Sequence, residues 1–121
     1  MSTIHSFKDL FVWQKGHLVV LEIYKVTQSF PKSELFGLTN QLRRAAVSIT
    51  SNIAEGFSRR SSKEKIQFYF MAYGSLSGVE NQLQIAKDIG YLDEDLFEDL
   101  MYLVNETGKL LNGLINKTKL R

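Results

Sequence analysis

The chain has 121 residues, 44% of them hydrophobic and 23% charged, with one proline and no cysteine. That length builds one core and not two, the composition is globular rather than disordered or fibrous, and the missing thiols exclude disulfides, thiolate metal sites and cysteine nucleophiles. The formal net charge of +2 hides an asymmetry: residues 1–65 carry ten Lys/Arg against five Asp/Glu, and residues 66–121 carry five against eight.

Four amphipathic segments follow one another, separated by short breaks. The first predicted helix runs from about Lys8 to Gln28, with Leu10, Trp13, Leu18, Leu21 and Tyr24 at three- and four-residue spacings, until Phe30-Pro31 breaks it. The second begins near Ser33 and extends to about Glu55, repeating Leu35, Leu38, Leu42, Ala45, Ile49 and Ile53 as a core-facing stripe. Gly56 and Ser58 to Ser62 read as the next connection, and Ser61 followed by Glu64 fits a capping box that starts the third helix. This helix, about 62–89, carries Ile66, Tyr69, Tyr73, Leu76, Leu83 and Ala86 and ends at Gly90, a good left-handed terminator. Asp93 can cap the fourth, about 93–117, whose Asp93, Glu94 and Asp95 suit the positive end of a helix dipole and whose Lys117, Lys119 and Arg121 suit the other.

The prediction is an all-α single domain over 1–121, an up-down-up-down antiparallel four-helix bundle. The longest uncharged run, Ile66 to Val79, is well short of the roughly 20 residues a bilayer requires. Met1 to Asp9 lack the basic start and apolar core of a signal peptide. A soluble cytoplasmic chain without a membrane partner is therefore expected.

Successive helical residues turn by about 100°, so four apolar residues in a row cannot share one face. Leu10 to Trp13, Leu18 to Leu21 and Phe68 to Met71 are three such quartets. Part of each should point away from its own core, which predicts a homo-oligomer with Phe11, Trp13, Phe68 and Met71 as interface candidates. Gly74 and Gly78, four residues apart in the third helix, would be tolerable where another helix approaches closely.

The segment Gln41-Leu42-Arg43-Arg44-Ala45-Ala46-Val47-Ser48-Ile49-Thr50-Ser51-Asn52-Ile53-Ala54-Glu55-Gly56 buries aliphatics while presenting an arginine pair. With Phe7-Lys8-Asp9-Leu10, Val12-Trp13-Gln14-Lys15, Glu34-Leu35-Phe36-Gly37-Leu38, Tyr73-Gly74-Ser75-Leu76 and Ile89-Gly90-Tyr91-Leu92, it forms an ordered string covering nearly the whole chain. This string resembles the small four-helix-bundle proteins named after the 23S rRNA intervening sequences that encode some of them, a family that includes accessory proteins of diversity-generating retroelements. Ser77-Gly78 before Glu80 departs from the family, which often has an acidic residue there. The resemblance implies a ring-shaped homopentamer without known catalysis, linked by gene context to RNA or to retroelement machinery.

Arg43 and Arg44 are adjacent, so at least one should reach a surface or a subunit seam. Arg59, Arg60, Lys63 and Lys65 crowd the second connection, and together the six form the densest cationic region, a chemistry suited to phosphates. Arg43 and Arg44 equally suit a salt bridge to Glu55, Glu80 or the acidic start of the fourth helix, and the 59–65 cluster equally suits a solvated loop. Trp13, Tyr69, Phe70 and Tyr73 have the spacing of core or interface, while Ser48, Ser51, Asn52 and Glu55 suit bonds between helices or a polar site.

His5 and His17 are the only histidines and neither has a carboxylate at metal-pair spacing, and no phosphate-cradling loop or nucleophile elbow occurs. No enzymatic activity and no cofactor are expected. The leading expectation is a non-catalytic oligomer that binds RNA or DNA through a basic surface. The alternative is a scaffold that docks a partner protein, such as a reverse transcriptase, without touching nucleic acid.

Overall fold

The computed structural model describes residues 3–120, and all regular structure among them is helical. Four long helices, α1 (Phe11–Thr27), α2 (Leu38–Ser58), α3 (Ser62–Asp88) and α4 (Glu94–Lys119), are preceded by a 3-10 turn at Phe7–Asp9. A second such turn, Lys32–Glu34, lies between α1 and α2. Each helix packs on the next in sequence and α1 also packs on α4, whereas the backbones of α1 and α3 make no close approach. Arg121 lies outside the described residues.

The helix starts differ from the periodicity at two places, each for a local reason. The helix expected from Lys8 begins at Phe11, because Asp9 turns its carboxylate back to accept from the His5 and Ser6 N–H groups at 2.8 and 3.1 Å. The Ser6 hydroxyl accepts from the Lys8 N–H at 3.0 Å, which closes the chain into a tight turn and leaves Leu10 extended. The helix expected from Ser33 begins at Leu38. Glu34, in its own 3-10 turn, caps it by accepting from the Leu38 N–H at 3.1 Å, so Leu35 leaves the core stripe and is 49% exposed.

The same carboxylate accepts from the Tyr91 hydroxyl at 3.0 Å, which ties the α1–α2 connection to the α3–α4 connection. Phe30, 6% exposed, packs its ring 5.5 Å from that of Tyr91. Gly90 adopts φ +87°, and the Tyr91 N–H reaches back to the Ala86 carbonyl at 2.9 Å, so the chain reverses at a left-handed residue. Asp93 then accepts from the Leu96 N–H at 2.8 Å, and Lys87 pairs with Glu94 at 3.1 Å across the turn.

Gly56 does not break α2; the helix runs on to Ser58. A Cβ at Gly56 would lie 2.6 Å from the Tyr69 ring and 3.1 Å from Phe68 Cβ, so glycine is required by a close helix approach. Gly74 and Gly78, expected at such an approach, instead face open space: a methyl group at either would meet no atom within 4 Å. At the start of α3 half of the expected capping box forms. The Ser61 hydroxyl accepts from the Glu64 N–H at 3.1 Å, but Glu64 takes the Ser61 hydroxyl rather than its amide.

The core is one continuous cluster, led by Ile23, Leu42, Ile49, Ile53, Tyr69, Leu76, Leu83, Leu100 and Leu111. In α1 its members are Val12, Val19, Ile23 and Val26, one register away from the expected stripe. Leu18, Leu21 and Tyr24 are instead exposed, because α1 is apolar on more than one face and spacing alone does not choose between them. Each quartet divides as rotation requires: Phe11, Leu18, Leu21, Phe70 and Met71 point out while Leu10, Val12, Val19 and Tyr69 point in.

Two outcomes follow from these contacts. Gly56→Ala should cost about 1–3 kcal/mol in urea unfolding, by overpacking against Tyr69, whereas Gly113→Ala, in open space on α4, should gain about 1 kcal/mol. Secondly, the hydrogen bond to Glu34 pushes the Tyr91 phenol above its ordinary 10.0, and burial pushes Tyr69 in the same direction. The folded chain then holds these protons more tightly than the unfolded one, so their contribution is complete below pH 10 and is lost as pH rises through the raised values. Unfolding followed by circular dichroism should show stability falling above about pH 10, with a shallower fall in Tyr91→Phe.

Candidate nucleic-acid interface

The six cations expected to form one surface are distributed between two places. Arg43 and Arg44 lie in the first half of α2, and at about 1.5 Å per residue Arg44 is roughly 21 Å from the helix end at Ser58. Arg59, Arg60, Lys63 and Lys65 lie at and just beyond that end.

Within each group the side chains divide again. Arg43 turns toward α1, where its Nε donates to the Thr27 hydroxyl at 2.9 Å and its guanidinium sits 4.8 Å from the centre of the Tyr24 ring. Thr27 passes the chain on by donating to the Ile23 carbonyl at 2.7 Å. Arg43 is thus a clamp between α1 and α2, and none of Glu55, Glu80 or the acidic start of α4 is its partner. Arg44, the next residue, is exposed and has no hydrogen-bond or ionic partner among the described residues.

Arg59 is held at the corner between α2 and α3. It pairs with Glu55 at 3.3 Å and Glu64 at 3.9 Å, and its guanidinium covers the Phe68 ring at 4.6 Å. Lys65 reaches back from α3 to donate to the Phe57 carbonyl at 2.7 Å and the Gly56 carbonyl at 3.4 Å. An ammonium on the last carbonyls of α2 satisfies both their hydrogen bonding and the negative end of the helix dipole. Arg60 and Lys63 are exposed and have no partner among the described residues.

The bundle adds cations that the linear cluster omits. Lys117, near the end of α4, lines the same cleft as Arg60 and Lys65, and Lys119 lies 5.6 Å from the Phe70 ring on α3. In the sequence both are legible only as a favourable helix end; packing of α4 on α3 brings them to the basic corner.

The interface candidates divide similarly. Phe11 is 76% exposed and Met71 55% exposed. Trp13 packs within the chain, its ring 4.7 Å from His17 and 5.3 Å from Phe7, and Phe68 lies beneath Arg59. One polar residue of α2 bonds between helices, Ser48, which shares a 2.8 Å hydrogen bond with Ser75 on α3; Asn52 donates within α2 to Ser48 Oγ at 3.1 Å. No cluster of three His, Asp or Glu that could hold a metal occurs among the described residues, and no helix among them is long and apolar enough to cross a membrane.

Residues 8–113 match the 23S rRNA-intervening sequence protein family over most of the chain. The chain belongs to that family. Among solved structures it is similar to a protein of unknown function from the S23 ribosomal protein family of Bacteroides thetaiotaomicron, at 22% identity and a TM-score of 0.80. That similarity covers 86% of this chain and 97% of the other, and it shows a shared fold. No curated protein matches. Phe7–Asp9, Glu34 and Tyr91 lie within the strings that resemble the family, and here each serves to cap or link helices.

The division of the arginine pair is measurable. Arg43→Ala should lower stability by about 1–2 kcal/mol in urea unfolding, through its lost hydrogen bond and ring contact. Arg44→Ala should stay within about 0.5 kcal/mol of the parent.

Proposed function

We propose that this chain is a non-catalytic, oligomeric, up-down-up-down antiparallel bundle that binds nucleic acid, RNA in the first place, through its basic corner. The observation that carries the reading is the pair Arg60 and Lys63, exposed and unpartnered among the described residues, with Arg60 sharing a cleft with Lys117. Unpaired cations on a rigid corner are free to replace counterions along a phosphate backbone, and such binding tolerates many sequences and weakens with salt. Arg44 provides a second, separate point of contact. Arg43, Arg59 and Lys65 position the helices that present these residues.

The antiparallel order is supported by the end cleft, which combines Leu10 from the entry to α1, Phe57 near the end of α2, Ser62 at the start of α3 and Leu114 near the end of α4. A homopentameric ring is supported by two apolar surfaces on helices whose backbones make no close approach: Phe11, Leu18 and Leu21 on α1, and Phe70 and Met71 on α3. Different patches on separate faces favour head-to-tail contacts, which form a ring when the rotation between subunits closes.

The scaffold reading has its own observation at the other end. Phe36 is 91% exposed beside Leu35 at 49%, and the Glu34–Tyr91 bond brings that turn close to the acidic start of α4. An apolar and basic segment of a partner protein would suit it.

Reversing Arg60 and Lys63 to glutamate should weaken binding of a structured RNA by an order of magnitude or more at low salt. The slope of log affinity against log salt should also fall by about 1.4–1.8, the value for two lost phosphate contacts. Filter binding across a salt series reads both, and an unchanged slope would remove this corner from the site. On a size-exclusion column with light scattering, Phe11→Asp/Met71→Asp should run as a monomer with parental helicity; an unchanged mass would remove these faces from the oligomer interface.

A further inference from the structure

The cleft at the basic end has a volume of about 400 Å³ and combines two chemistries. Leu10, Phe57 and Leu114 supply apolar wall, and Arg60 and Lys117 supply cations at the same opening. Lys65 also lines it, with its ammonium committed to the carbonyls at the end of α2.

Tyr69 is the informative residue. It is 2% exposed, yet its hydroxyl has no hydrogen-bond partner among the described residues. Two side-chain polar atoms among them are sealed from solvent without a partner, Arg59 Nε and Gln82 Oε1. The Tyr69 hydroxyl is not one of these, so its tip reaches open space, and the cleft is the open space that this side chain lines. Tyr69 therefore presents a donor to the cleft that no other group of the described residues engages, so a bound acceptor there would displace only water. Burial raises the phenol's proton affinity, so it remains a donor at neutral pH.

We propose that this cleft binds a small amphipathic monocarboxylate. The anionic head is met by Arg60, Lys117 and the Tyr69 hydroxyl, and the apolar body lies against Leu10, Phe57 and Leu114. Charge and shape select this class over its neighbours. A neutral alkane would leave the hydroxyl and both cations without a partner in the cleft. The cleft is open to solvent and its volume sets only a scale, that of a medium-length aliphatic chain, for which decanoate is the probe.

Titration calorimetry of the full chain with decanoate below its micellar concentration, without nucleic acid, tests the site separately from RNA binding. One saturable site per chain is expected, with octanoate about fifteenfold weaker because each of two buried methylenes contributes about fourfold, and 1-decanol at least about tenfold weaker. Tyr69→Phe keeps the ring and should lose about tenfold or more in decanoate affinity while leaving RNA affinity unchanged. Arg60→Ala/Lys117→Ala should lose about fivefold or more. No saturable binding, equal binding of 1-decanol, or parental decanoate affinity in either variant would overturn the proposal.

Discussion

The close approach of α2 to α3 at Gly56 and Tyr69 is the constraint on which the rest of the molecule depends. Because residue 56 has no side chain, α2 continues past Glu55 to Ser58 while the Tyr69 ring closes over it. The link to α3 is then only Arg59, Arg60 and Ser61. So short a link places Lys65 where it can bond the last carbonyls of α2 and places Arg59 between Glu55 and Glu64. Arg60 and Lys63, on the other side of the same turn, have no internal partner among the described residues and face solvent.

The bundle therefore uses its positive charge in two ways. Arg43, Arg59 and Lys65 are bound to hydroxyls, carboxylates, carbonyls and aromatic faces, and they set where helices lie. Arg44, Arg60 and Lys63 are left with water as their partner, which is the state from which a phosphate can be engaged at little desolvation cost. The opposite end is organised differently, by Glu34 accepting from both the Leu38 amide and the Tyr91 hydroxyl. The apolar surface left on α1 and α3 lies on helices whose backbones make no close approach, and it is more than scattered exposed residues require.

Much of the fold was legible in the sequence because helical periodicity is strong in α2 and α4 and the ends of α3 are marked by a serine cap and a glycine terminator. Leu42, Ile49, Ile53, Leu76, Leu83, Leu100 and Leu111 are buried as their spacing predicts. In α1 the pattern misled: Leu18 and Leu21 are larger than Val19, and the apolar run 18–21 gives two faces at helical spacing between which periodicity alone does not choose. The starts of α1 and α2 were obscured by carboxylates that cap by folding back, Asp9 and Glu34, a choice that tertiary geometry decides. The candidate site was legible as a cluster of cations but not as a division between structural and free ones. That division depends on which aromatic ring, hydroxyl or carbonyl each side chain meets, and those partners, such as Tyr24 and Thr27 for Arg43, lie far away in sequence.

The measurement that tests the division most directly is side-chain NMR of the lysine ammonium and arginine Nε–H groups during titration with a structured RNA. Arg44, Arg60 and Lys63 should shift as RNA is added, while Arg43, Arg59 and Lys65 keep their positions and slow exchange. Shifts at Arg43, Arg59 or Lys65, with Arg60 and Lys63 unmoved, would contradict this division of the charge.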